Sequence, residues 1–272
     1  MTRAHRRIRP RLIEFRVTGR GSGVKKLSRC QPGCPAPGPR RLRPAGSGRA
    51  LYCGPMFPVS DVIPSRSRPV VTIALIAANT LVFLYELQLD RRHLYELAHG
   101  FGVVPADFHW PRAVTSAFLH DGWIHFGGNM LYLWIFGDNV EDALGHAGFA
   151  AFYLGASVLA AAAHAALNPT SIAPLIGASG AVAAIMGVYF VLYPRSQVLT
   201  AIFLLLYLDV IEVPAIIFLG VWLAIQLVAG LASMGAGAAE GGLAIGAPLA
   251  GLLVGIATGV ALRNRGKTRA WG

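Results

Sequence analysis

Residues 176–193 read IGASGAVAAIMGVYFVLY. One hydroxyl, that of Ser179, stands near the start of an otherwise apolar helical stretch. Gly177, Ala178, Gly180 and Ala181 surround it, so another backbone can come close to the serine. At a helix start the serine also sits among unpaired N–H groups, which can stabilise an oxyanion. Gly180, Ala184 and Gly187 fall on nearly one face and suit tight contact with a second helix. Taken alone, the stretch is either a small-residue packing seam with an incidental serine or a nucleophile held where a helix begins.

Composition gives that stretch its setting. The 272 residues are 54% hydrophobic and 14% charged, against roughly 25% charged in ordinary soluble domains. Several apolar runs approach or exceed the length that crosses a bilayer, which predicts a polytopic membrane protein. The net charge of +11 is unevenly placed. Residues 1–55 carry 14 Lys/Arg against the single acid Glu14, whereas residues 56–272 carry 10 Lys/Arg against 12 acids. All three cysteines (Cys30, Cys34 and Cys53) lie in the first part, so disulfides contribute nothing to the membrane body.

Residues 1–55 are rich in Arg, Gly and Pro and lack hydrophobic periodicity, the composition of a segment that stays disordered. Three explanations compete: a basic tail for anionic lipid or nucleic acid, an organelle presequence, or a stretch outside the mature protein with translation starting at Met56. The third is preferred, because the short lead MFPVSDVIPSRSRP then enters the first apolar run directly. Cys30-x3-Cys34 has no second ligand pair after it and is weak evidence for metal.

From Met56 onward six spans are expected. They are Val70 to Leu89, Gly122 to Phe136, Ala147 to Leu167, Ile176 to Tyr193, Val213 to Leu231, and Gly242 to Leu262. Residues 197–210 are apolar but short and read as a re-entrant or interfacial segment. The connection 90–121 contains Phe101, Phe108, Trp110 and Phe118. It reads equally as an element in the membrane interface or as a surface loop. Asp138 and Glu141 in GDNVED read as a capping box that opens the third span. In the last span Ala247, Gly251, Gly255 and Gly259 recur every four residues, a continuous face for close helix contact. Arg66 and Arg68 before the first span and RNRGKTR after the last predict that both termini are cytoplasmic.

The second span holds a polar constellation, His120-x4-His125-x3-Asn129. His125 and Asn129 share a helix face, and polar groups inside a span are costly enough to suggest function. Hydrogen bonding to neighbouring helices is the alternative. Asn is a poor metal ligand and no third ligand is evident, so no metal is expected. Both side chains are good donors to an oxyanion. His164 reads as a packing or interfacial histidine.

Together these residues resemble the rhomboid family of intramembrane serine proteases. The resemblance covers nearly all of residues 56–272. It rests on PVVTIALIAANTLVFLYE, on His120/His125/Asn129, on GDNVED, and on Gly177-Ala178-Ser179-Gly180. It implies an all-α, six-helix membrane bundle around a water-filled cavity. Ser179 would be the nucleophile, with His125, Asn129 and the Ser179 N–H as the oxyanion site. It further implies transmembrane segments of other membrane proteins as substrates, with no cofactor and no nucleic-acid partner. A bacterial inner membrane is the expected location.

One departure bears on activity. The family places its base histidine on the sixth helix, ahead of two glycines. Gly251 and Gly255 fall into that pattern, and Pro248 occupies the histidine position. His164 is the last histidine in the chain, and Ala183 stands where the family often has tyrosine. A serine hydroxyl needs a base within hydrogen-bond reach. The expectation is therefore a very slow or inactive protease that binds transmembrane clients. The alternatives are an active protease with another base, and an active protease in which Pro248 is a sequence error.

Overall fold

The computed structural model describes residues 56–63, 65, 67–204, 207–235 and 245–265. The expectations for residues 1–55 lie outside these. All described residues belong to one packed unit, Tyr52–Gly272. Among them the helices are α1 (Val70–Glu86), α2 (Arg91–Phe101), α3 (Trp110–Thr115), α4 (Trp123–Leu144), α5 (His146–Leu167), α6 (Ser179–Leu192), α7 (Ala215–Gly235) and α8 (Gly246–Asn264). A 3-10 turn, Ser116–Phe118, follows α3. The strands are β1 (Met56–Asp61), β2 (Gln197–Leu204) and β3 (Tyr207–Pro214).

Of the helices, α5 and α8 are long and apolar enough to cross a membrane by length and composition. Shorter apolar helices are α1, α6 and the first part of α7, Ala215–Gln226. The structure is mostly helical, as expected; α1, α4, α5, α6, α7 and α8 overlap the stretches expected as spans, of which α5 and α8 have the length and apolarity to cross a bilayer.

At the centre lies α6, in which every residue from Ser179 to Tyr189 is buried. Its 14 residues rise about 21 Å at 1.5 Å each, against a hydrocarbon layer of about 30 Å. It is enclosed by α4, α5 and α8. The contact with α8 is backbone against backbone. A Cβ added at Gly251 would stand 2.0 Å from the Gly180 carbonyl oxygen, and one at Gly255 would stand 2.0 Å from that of Ala184. At Gly187 it would stand 2.6 Å from the Leu252 oxygen. The two small faces seen in the sequence therefore meet each other.

One expectation is refined and one is corrected. Residues 197–210, expected as a re-entrant or interfacial segment, supply β2 and the first part of β3, within an antiparallel sheet of order β1-β2-β3. Val198 and Thr200 are buried and Leu199 is less so, the two-residue alternation of a strand. The element bearing Asp209 and Glu212 is thus hydrogen-bonded along one edge to β2. The connection 90–121, expected as an element in the membrane interface or a surface loop, contains α2, α3 and the 3-10 turn.

The corrected one is GDNVED, which opens no helix. Asp138 and Glu141 lie inside α4, which continues to Leu144 and stops at Gly145, where φ is 75°. The motif clasps the segment that leads into α1. The Glu141 carboxylate accepts from Val71 N at 2.9 Å, Thr72 N at 2.8 Å and Thr72 Oγ1 at 2.7 Å. It thereby caps a helix start that has no capping side chain of its own. Asp138 accepts from Ser65 Oγ at 2.5 Å, Asp142 from the amide and hydroxyl of Ser67, and Asn139 Nδ2 donates to Asp61 at 2.8 Å.

Candidate functional site

Ser179 is the first residue of α6, and it is buried to 8% exposure. The turn before it is fixed by Gly177, whose N–H donates to the Ser116 carbonyl at 2.8 Å. Gly177 adopts φ 113°, in the region that favours glycine. A Cβ there would also stand 2.5 Å from both Cε1 and Nε2 of His125. The glycine thus brings the backbone just ahead of Ser179 against the imidazole edge of α4. Gly180 serves on the other side, where a Cβ would meet that of Ala160 at 2.6 Å. A small cavity with room for about one water lies beside the serine. It is lined by Ser116, Ser157, Ala160, Gly177, Ser179 and Ala247, among others.

His125 and Asn129 lie one turn apart on α4. His125 Nδ1 is 2.7 Å from Asp121 Oδ1, an acid in the loop ahead of the helix that is 70% exposed. Asn129 is buried and its Nδ2 donates to the His125 carbonyl at 3.0 Å, which leaves one N–H of that amide group unused. Behind them His120 is buried, with neither ring nitrogen hydrogen-bonded. Its ring meets that of His125 edge-on at 5.1 Å, and its backbone N–H donates to the Glu86 carboxylate at 3.2 Å. Burial, and then the neighbouring His125, push His120 down to about 4, so its ring is neutral near pH 7. The hydrogen bond from His125 holds the Asp121 carboxyl below the usual range, so it is ionised there.

Pro248 is buried in the first turn of α8, one turn ahead of Gly251. Its missing N–H is one of those that a helix start leaves unpaired, and the first α8 bond runs from Leu249 N to Ile245 O at 3.1 Å. Proline here does not bend the helix. No side chain among the described residues is hydrogen-bonded to Ser179 Oγ. His164, buried on α5, has an unpaired Nδ1 that packs toward Gly246, 3.7 Å from a Cβ placed there. Of the sequence-predicted residues, Gly177, two positions ahead of Ser179, is thus brought against His125. Gly180, Gly251 and Gly255 form the seam beneath, Asn129 turns back on its own helix, and His120 sits behind. Asp121 escaped the sequence reading, although its spacing of four from His125 was visible.

Among the described residues no group of three or more His, Cys, Asp or Glu is placed to hold a metal ion. Residues 107–265 match the Rhomboid domain. Rhomboid protein 1, mitochondrial, of Saccharomyces cerevisiae is 33% identical over 95 residues, covering 33% of this chain and 27% of its own. The Bacillus subtilis protein YdcA, named for the rhomboid proteases, is 29% identical over 125 residues, covering 46% of this chain and 62% of its own. The chain thus spans less than two thirds of the length of either relative. With the domain match extending over more than half of the chain, the protein belongs to the rhomboid family.

Proposed function

We propose that the protein engages transmembrane segments of other membrane proteins at Ser179, as a serine endopeptidase of very low turnover. The observation that carries this is the pairing of an intact serine turn with a proline at 248. Ser179 opens a buried helix beside His125, while the start of α8, the other helix that meets this point, offers no ionisable group at 248. The Ser179 N–H, Asn129 and His125 are the proposed oxyanion donors. Loss of the base histidine costs about 10⁶ in turnover in a well-studied soluble serine protease, and oxyanion sites alone retain about 10³–10⁴ over water. Binding therefore outlasts cleavage here. Residues 56–272 are proposed to be the membrane domain, in a bacterial inner membrane with both ends cytoplasmic.

The test is cleavage of a transmembrane substrate in liposomes, with fluorophosphonate labelling alongside. The chain as written is compared with Ser179→Ala and Pro248→His. Pro248→His is expected to raise turnover by about 10²–10⁴, the usual contribution of a general base. If Pro248→His neither cleaves nor labels in a folded sample, Ser179 is not a usable nucleophile and the proposal fails.

A further inference from the structure

Resting on the proposed membrane residence of residues 56–272, we propose that a bilayer lipid lodges one acyl chain between α1 and the α2–α3 segment. A cavity of about 320 Å³ lies there. Val82 and Tyr85 of α1, Leu97 and Phe101 of α2, and Phe118 and Leu119 beyond α3 line it. Besides the Tyr85 phenol, the one side-chain hydroxyl on the wall is that of Thr115, and it donates to the Phe101 carbonyl at 2.6 Å. A polar ligand would lose its water here without gaining a partner. Water itself leaves apolar cavities empty. The occupant is therefore apolar.

The surroundings name its source. Leu94, Leu97 and Phe101 share one face of α2, yet no residue of α2 is buried, and Phe101 is 52% exposed. Beside the cavity Leu81, Leu84 and Tyr85 of α1 are exposed as well, so the cavity continues the surface that α1 turns to hydrocarbon. Tyr85, Tyr95 and Trp110, each more than half exposed, set this surface where aromatic rings meet headgroups. Size then chooses between a lipid chain and a client helix. At about 30 Å³ for a group the size of water, the cavity takes roughly ten methylenes. One turn of a helix, about 5.4 Å long and 10 Å across, fills roughly 400 Å³ and does not fit. The lodged chain lies against Thr115 and Phe118, on either side of Ser116, whose carbonyl receives the Gly177 N–H ahead of Ser179.

The experiment reconstitutes the full chain in vesicles of phosphatidylcholine that carries a diazirine on one acyl chain. One portion is irradiated in the vesicles. A second is extracted, washed in detergent free of photolipid and then irradiated, and labelled positions are mapped by mass spectrometry. Before washing, label is expected on Val82, Leu97 and Phe118 and also on Leu253, an exposed residue of α8 that meets passing lipid. After washing it should persist at the first three and vanish from Leu253. Leu97→Trp and Val82→Trp narrow the cavity from opposite walls. An indole there displaces at least two methylenes, each worth about fourfold in binding, so retained label at Phe118 should fall about tenfold or more. Label at Leu253 before washing should be unchanged in both variants, which shows that they are folded and inserted. Loss of all label on washing would overturn the inference, as would full retention in both variants. Displacement of the retained label by a transmembrane peptide would assign the cavity to clients and overturn it too. Absence of label from Leu253 and from the rest of α5 and α8 before washing would instead overturn the membrane reading on which the inference rests.

Discussion

Gly177 answers to two constraints at once, a backbone angle that side chains avoid and an imidazole where a side chain would go. Gly177→Ala should cost about 1–3 kcal/mol from the strained φ alone and displace His125 as well. Thermal unfolding in detergent should show the first effect, and lost labelling of Ser179 the second. The small residues around Ser179 were legible as a place of close backbone approach, since nothing larger than a methyl stands there. Asp121 was not, because an acid in an exposed loop looks like any solvated charge until the imidazole is seen against it. A second acid has a consequence for stability. Burial raises Asp61 from an ordinary value of 3.8 to about 7, outweighing the bonds from Tyr189 and Asn139 that favour its charge, while Asp138 opposes it. The folded state thus favours the protonated form. Asp61 should weaken the fold as pH rises from about 4 through 7, and Asp61→Asn should flatten that part of a melting-temperature profile.

At the scale of elements the glycines fall into two kinds. Gly255 faces the Ala184 carbonyl, and Gly155 on α5 faces nothing within 4 Å. Gly255→Ala should therefore push α8 away from α6 and cost about 1–3 kcal/mol or more. Gly155→Ala should be neutral or stabilise by up to about 1 kcal/mol through helix propensity. Calorimetry or denaturant titration of the two variants separates them. The clasp makes a comparable prediction. Glu141→Ala would strip three donors at the start of α1, and about 2–3 kcal/mol should be lost. The small faces of α6 and α8 could be read from four-residue spacing. The sheet could not, since a short apolar run has the same periodic signature in a buried strand as in a helix. The clasp was misread because Asp-x-x-Glu looks alike at a helix start and inside one; the partner of Glu141 lies some 70 positions away in the chain.

For the whole molecule, the contacts fix which ends share a side. The end of α4 clasps the start of α1, and β2, which follows α6, pairs with β1, which precedes α1. Gly251 lies at Gly180 and Gly255 at Ala184, so α8 runs parallel to α6. The start of α1 and the end of α8, with Arg68 and Arg263, therefore lie on one side and the loop 168–178 toward the other. Alkaline phosphatase fused after Arg265 should be inactive, and inserted in that loop it should be active; the reverse would invert the proposed orientation.

The seam between α6 and α8 also sets a hierarchy of local opening. Side chains can hop between rotamers and let neighbours part a little, but two backbones in direct contact have nothing to hop. The amides of α6 should then exchange with deuterium only when the bundle as a whole comes apart. Those of α2, which has no buried residue, should exchange through small openings long before. The protein would carry Ser179 at the edge of its slowest-exchanging element, so that this hydroxyl is held still while the segments around it move.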